Sequence, residues 1–207
     1  MRVVTTLLFA LVLTSFAAAN PVEYWPKLGL EFDDDGIPDD DITTVINATP
    51  FTTVSAYLAL YCQDSPGREF TTVSFRLSQP VAECPGVIAT RSYTNLLPGN
   101  LMIGDPFDST GATVASTECM TSPMVYIGRI DMFYLGGACK LQILDHADYH
   151  RWVVDCQEPG IVTYYCVATN ASIGTDDVWP GDVDCFPVCY VTPVEDVSWG
   201  AIKSMYR

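Results

Sequence analysis

Eight cysteines, all of them after residue 61, constrain this chain more than any other feature. They are Cys62, Cys84, Cys119, Cys139, Cys156, Cys166, Cys185 and Cys189. An even set of this kind pairs where thiols oxidise, outside a reducing cytoplasm. Zinc is the competing use, but no C-x-x-C pair occurs and the chain has only two histidines, too few for the usual structural sites. All eight are therefore expected to be disulfide staples. Spacing alone does not decide the connectivity. The favoured local closure is Cys185 with Cys189, around Phe186-Pro187-Val188. Cys139, Cys156 and Cys166 fall on successive predicted strands, where cross-strand or inter-sheet bridges fit.

The leader agrees with that chemistry. Arg2 precedes an apolar run from Val3 to Phe16, and Ala17-Ala18-Ala19 offers a cleavage site before Asn20. This is the pattern of a secretory signal peptide over residues 1–19. The run is short for a membrane span and has no basic residues on its far side. No cysteine follows it to carry a lipid anchor, and no later segment is apolar enough for a transmembrane helix. The mature protein is expected to be secreted, periplasmic or extracellular.

Charge narrows the partners. The formal net charge is −15, from 25 acidic against 10 basic residues. Nucleic-acid binding and docking on anionic lipid both need clustered Lys and Arg, and this chain has no such cluster. With 49% apolar and 17% charged residues it can bury a sizeable core.

Hydrophobicity alternates with a period near two, the signature of half-buried strands. Thr71, Val73, Phe75 and Leu77 oppose Thr72, Ser74 and Arg76; Val54, Ala56, Leu58 and Leu60 share one face of Thr53–Cys62. Over Met124–Tyr134, the residues Met124, Tyr126, Ile130, Met132 and Tyr134 oppose Arg129 and Asp131. Further strands are expected over 28–32, 87–92, 101–103, 139–144, 152–156 and 161–169. Turn signals separate them, among them Ser65-Pro66-Gly67, Pro98-Gly99-Asn100 and Gly136-Gly137. Short strands at this spacing predict an all-β, antiparallel two-sheet sandwich. The sandwich domain is expected over 20–172, followed by an acidic, cysteine-containing loop or linker over 173–191. Thr192-Pro193-Val194-Glu195 has the form of a capping box, so residues 192–207 are expected to form a C-terminal helical tail.

Several segments also carry a resemblance. Pro50–Leu58, Cys139–Ile143, Asp145–Asp148, Trp152–Cys156 and the ending Trp199–Arg207 resemble a group of exported bacterial proteins with a C-terminal tail of the W-G-x-I-K-x-x-Y-R type. In strand pattern that group is similar to cohesin-like and carbohydrate-binding β-sandwich modules. The resemblance implies export and a cohesin/Ig-like sandwich, and assigns no active site. It also makes the glycan-acceptor triplets at Asn47 and Asn170 incidental.

Three constellations are candidates for chemistry. Seven carboxylates crowd between Glu31 and Asp41. Calcium is the natural cation for them, with Glu31, Asp33, Asp35, Asp39 and Asp41 as ligands. The twelfth position of an EF-hand loop falls on Ile42, so a solvated acidic loop is the competing reading. His146 and His150 stand i, i+4 beside Asp145 and Asp148, on a connection between strands where turn residues suit them better than a metal site. Among the aromatic residues, Trp179 and Tyr149 are the candidates for stacking on a sugar. No G-x-S-x-G or H-E-x-x-H motif occurs, so no catalytic residue is assigned. The expected role is a non-catalytic module for binding, adhesion or envelope structure, its partner a protein or glycan at the cell envelope. The alternatives are a carbohydrate-binding module and an exported glycoside hydrolase using paired carboxylates. No cofactor beyond calcium is implied.

Overall fold

The computed structural model describes residues 26–32, 43–61, 69–157, 159–160, 162–177, 181 and 185. In chain order the elements are β1 (Lys27–Glu31), β2 (Val45–Ile46), β3 (Thr52–Tyr61), β4 (Phe70–Leu77), α1 (Pro80–Glu83), β5 (Ile88–Asn95), β6 (Leu101–Asp105), β7 (Gly111–Met120), β8 (Met124–Tyr134), β9 (Cys139–Leu141), β10 (Ile143–Leu144), β11 (Trp152–Asp155), β12 (Val162–Tyr164), β13 (Cys166–Thr169) and β14 (Ala171–Ile173). The expected signal peptide, the acidic run from Asp33 to Asp41 and the expected C-terminal helix fall outside the described residues.

Two sheets form the sandwich. The five-stranded sheet runs β13-β1-β3-β8-β5, and the six-stranded sheet runs β12-β11-β4-β7-β6 with β10 also against β4. A small sheet, β2-β14-β9, completes the fold. Alternation explains the packing. Leu28 and Leu30 of β1, Val54, Ala56, Leu58 and Leu60 of β3, and Val73, Phe75 and Leu77 of β4 meet in one buried core. The opposite residues of the same strands turn outward. Pairing is antiparallel except for β1 with β13 and β2 with β14, which run parallel. Both exceptions arise near the end of the described chain, where β13 and β14 slot beside strands formed early in the sequence.

One expectation on β8 is corrected. Met124 and Tyr126 do not share the core face with Ile130 and Met132; they join Ala59 and Tyr61 on the outer face. The cause is a β-bulge. Leu58 pairs with Gly128 but Ala59 with Tyr126, which leaves Ile127 without a partner and reverses the phase of the strand. Val125 and Ile127 therefore enter the core in their place.

Two expected single strands are split because the chain changes sheets within them. At Gln142 it leaves β9 and joins β4 as β10, and the Gln142 N–H donates to Ser78 Oγ at 2.9 Å. At Tyr165 it passes from β12, in the six-stranded sheet, to β13, in the five-stranded one. Asn170 holds the next corner, its Oδ1 accepting the Ile143 N–H at 2.9 Å.

Three disulfides are described: Cys84–Cys139, Cys119–Cys156 and Cys166–Cys185. The first ties the end of α1 to β9. The second joins β7 to the residue after β11, across the start of β4. The third overturns the expected Cys185–Cys189 closure: Cys185 is buried against β13, so the expected linker is pinned to the sandwich there. A contact at a sheet edge, which spacing cannot reveal, outweighs the short loop.

Candidate interaction surface

The outer face of the six-stranded sheet is the most distinctive surface. Register places Val162, Val154, Thr72, Ala115 and Leu101 in one row across five strands. The adjacent row holds Tyr164, Trp152, Ser74, Thr113 and Ile103, with Trp152 one residue on from the Val153–Val73 pair. Neither row contains a charged side chain. Five strands at the usual spacing span about 20 Å.

The rows are apolar at both flanks and hydroxylated between. On β6, Leu101 and Ile103 are 52% and 80% exposed, while Val162 and Tyr164 on β12 are 41% and 46% exposed. In the middle, Ser74 Oγ and Thr113 Oγ1 hydrogen-bond at 2.9 Å, which satisfies both hydroxyls within the sheet. Charges gather at the ends. Arg76 donates to the Asp145 carbonyl, Arg151 pairs with Asp145 at 2.6 Å, and Asp105 and Glu118 are exposed nearby.

Tyr149 extends the aromatic flank. Its ring lies 5.2 Å from that of Trp152 and 4.9 Å from that of His146, tilted 36° and 31°. Tyr149 is 43% exposed, and Trp179 lies outside the described residues.

The His146–His150 segment is a closed turn. The two residues exchange backbone hydrogen bonds of 3.1 and 2.9 Å, and His150 adopts φ +51°. His146 Nδ1 accepts the N–H groups of Asp148 and Tyr149 at 3.1 and 3.2 Å. Its proton therefore sits on Nε2, and the lone pair a metal would need on Nδ1 is taken. Among the described residues no set of three His, Cys, Asp or Glu is grouped to hold a metal ion.

Burial holds the His146 pKa below its ordinary 6.5, opposed by Asp148 and assisted by His150. The unfolded chain thus binds the proton more readily than the folded one. The stabilisation that neutral His146 provides is complete above pH 6.5 and is lost as pH falls through the folded value. Thermal melts of wild type and His146→Asn, compared from about pH 8 to 5, should show the wild type losing more stability on acidification. Parallel pH profiles would refute this.

The outer face of the five-stranded sheet is built differently. Ser55 and Arg129 both bond Asp131 at one end, at 2.6 and 3.0 Å. At the other, Tyr57 stacks on Tyr126 with centroids 4.6 Å apart. Tyr61 lies over Gly29, where a Cβ would meet its ring at 2.8 Å. Its hydroxyl lies near the Glu31 and Thr169 side chains, and burial, then the Glu31 charge, push its pKa far above the ordinary value. Glu31, one of the acidic run, is 1% exposed inside this face. Asp33, Asp35, Asp39 and Asp41, the other expected calcium ligands, lie outside the described residues.

These sheets define a disulfide-stapled β-sandwich. No family model matches the chain, and no curated protein matches it. The chain is similar to solved cohesin structures. One is a CaDoc0917–CaCohA2 complex, with TM-score 0.48 and 13% identity, covering 72% of this chain and 99% of that one. Another is CaCohA2 from Clostridium acetobutylicum, with TM-score 0.46 and 10% identity over 73% of this chain and 92% of that one. A third is the sixth cohesin of scaffoldin B from Acetivibrio cellulolyticus, in complex with a Cel5 dockerin, with TM-score 0.45 and 9% identity over 73% and 99%. Likeness of this degree carries nothing about what this chain binds.

Proposed function

We propose that the chain is an exported, non-catalytic binding module that docks a protein partner on the outer face of its six-stranded sheet. The observation behind this reading is the double row without charge, in a chain of net charge −15. An uncharged patch with apolar flanks and charged residues around its edge fits a protein–protein interface, whose core is depleted of charge. Small-molecule sites are instead concave. Leu101 and Ile103 are the expected anchors, because they are apolar, neighbouring and far more exposed than a core residue.

The test is binding to proteins of the host's exported fraction, measured with wild type and with Leu101→Asp and Ile103→Asp. Each substitution puts a charge on an expected anchor of the contact and should weaken the partner at least about tenfold, or 1.4 kcal/mol. A partner indifferent to both, and to Tyr164→Asp, would overturn the reading.

The Tyr149–Trp152 contact favours one second reading, a glycan ligand at the aromatic flank. That reading expects the reverse pattern, with Tyr149→Ala abolishing retention on polysaccharide and the β6 substitutions harmless.

A further inference from the structure

We propose that the partner adds an extended segment of its own chain to β6, as a further strand of the six-stranded sheet. The segment is apolar at alternate positions and basic at its ends. This rests on the docking proposed above and specifies how the partner is held.

The first observation is a contrast among edges. An open edge pairs readily with another chain, and proteins shield edges with bulges, inward-turned charges, short strands or covering segments. The two large sheets end at β13 and β5 and at β12 and β6. Strand β13 is covered, with Gly181 against the Val167 and Ala168 carbonyls and Cys185 bonded to Cys166. Strand β5 is bulged between Ile88 and Thr90. It also turns Arg91 inward, the guanidinium carbon 4.3 Å from the centre of the Phe107 ring. Strand β12 is only three residues long. Strand β6 keeps its register with β7 over five residues, turns no charge inward, and is exposed at every position.

The second observation is that β6 is open on both faces. Leu101 and Ile103 lie on the outer one. Met102 pairs with Val114, a core residue, yet Met102 is 42% exposed. Gly104 has no side chain to obstruct an incoming backbone. Hydrogen bonds hold the two ends of the strand in place. The Leu101 carbonyl accepts from Asn95 Nδ2 at 2.9 Å, and the Asp105 carbonyl accepts the Asp108 N–H at 3.0 Å. Between these points, alternate N–H and C=O groups of an edge strand face away from its neighbour, which is where an added strand bonds. Alternate side chains of that strand would then lie beside Leu101 and Ile103, continuing the uncharged rows past β6.

The third observation is charge. Residues 101–104 carry none, but Asp105 and Asp108 are exposed at one end. At the other end the Thr117 N–H donates to the Pro98 carbonyl, which brings the exposed Glu118 beside the start of β6. Basic residues at the ends of the partner segment complement these carboxylates. A second copy of this chain would bring the same carboxylates and a net charge of −15, so repulsion opposes self-pairing.

The test uses the full-length protein and a capped synthetic peptide that alternates valine and threonine between terminal lysines. One control peptide carries proline at its centre, and another carries glutamates in place of the lysines. Amide exchange is read residue by residue by nuclear magnetic resonance at low salt. The lysine peptide should slow exchange within residues 102–105 at least about tenfold. The proline peptide should have no effect there, and the glutamate peptide a much smaller one. No protection within 102–105, equal protection by the proline or glutamate peptide, or protection at β5 or β12 instead would overturn the proposal. So would protection that grows with protein concentration in the absence of peptide, because a second copy would then occupy the edge. The docking reading fails separately. An exported partner weakened by Leu101→Asp and Ile103→Asp, but leaving exchange in 102–105 unchanged, would retain the docking face and refute strand addition.

Discussion

Reduced with excess dithiol and alkylated, the protein is expected to lose its cooperative thermal transition. The three described bridges close segments separated by 55, 37 and 19 residues. A bridge over a loop of this length contributes about 3–4 kcal/mol, chiefly by restricting the unfolded chain. The first two segments, 84–139 and 119–156, overlap in sequence, so their contributions do not simply add. Even a joint loss of about 6–8 kcal/mol equals the whole stability of many domains. The first bridge also anchors the four-residue α1, whose last turn ends at Cys84. Near-ultraviolet circular dichroism through a thermal melt, with and without reduction, decides it. A reduced sample melting within a few degrees of the oxidised one would show that the core alone suffices.

The second large effect is expected at Gly128, where a valine should destabilise the protein by about 3 kcal/mol despite its higher strand propensity. The Tyr93 side chain occupies the space a Cβ would need there. Tyr93 cannot swing aside cheaply. Its hydroxyl donates to the Ile127 carbonyl at 3.2 Å, its ring lies 5.8 Å from that of Phe75, and it packs on the core. Gly128 also sits at the bulge that sets the phase of β8. Urea denaturation of Gly128→Val, Tyr93→Ala and the double variant separates the causes. Removing the ring clears the space, so the double variant should lose less than the sum of the singles, by about 1–2 kcal/mol. A neutral Gly128→Val, or strict additivity, would contradict this account.

Particular elements show what was readable beforehand. On β3 the period of two runs unbroken, and the residues expected to share a face do so; on β4 it holds for Val73, Phe75 and Leu77 but fails at Thr71, because the register shifts between Phe70 and Thr72 and Phe70 enters the core in its place. On β8 the same pattern misleads, because an unpaired Ile127 shifts the phase and sends Tyr126 outward. Strand β7 has no comparable signal. Ala112, Val114 and Ser116 are buried in a central strand, yet small and hydroxylated residues look like a loop. His146 stood out in the sequence, but its environment is made by the N–H groups of Asp148 and Tyr149, which only the folded turn delivers.

The candidate surface was less legible. Tyr149 and Trp152 could be named as aromatic residues, but Leu101 and Ile103 could not be tied to them. The double row draws on five strands from residue 72 to residue 164. No sequence window contains it.

The amino-acid pattern by itself determined that this chain would be built of short strands and tied by disulfides, because side-chain alternation and cysteine count are local properties. Tertiary structure alone decided which cysteines meet, where the bulge reverses a strand, and which uncharged residues line up on one face. Those outcomes depend on register between distant segments, and register is set by the packing of the whole core.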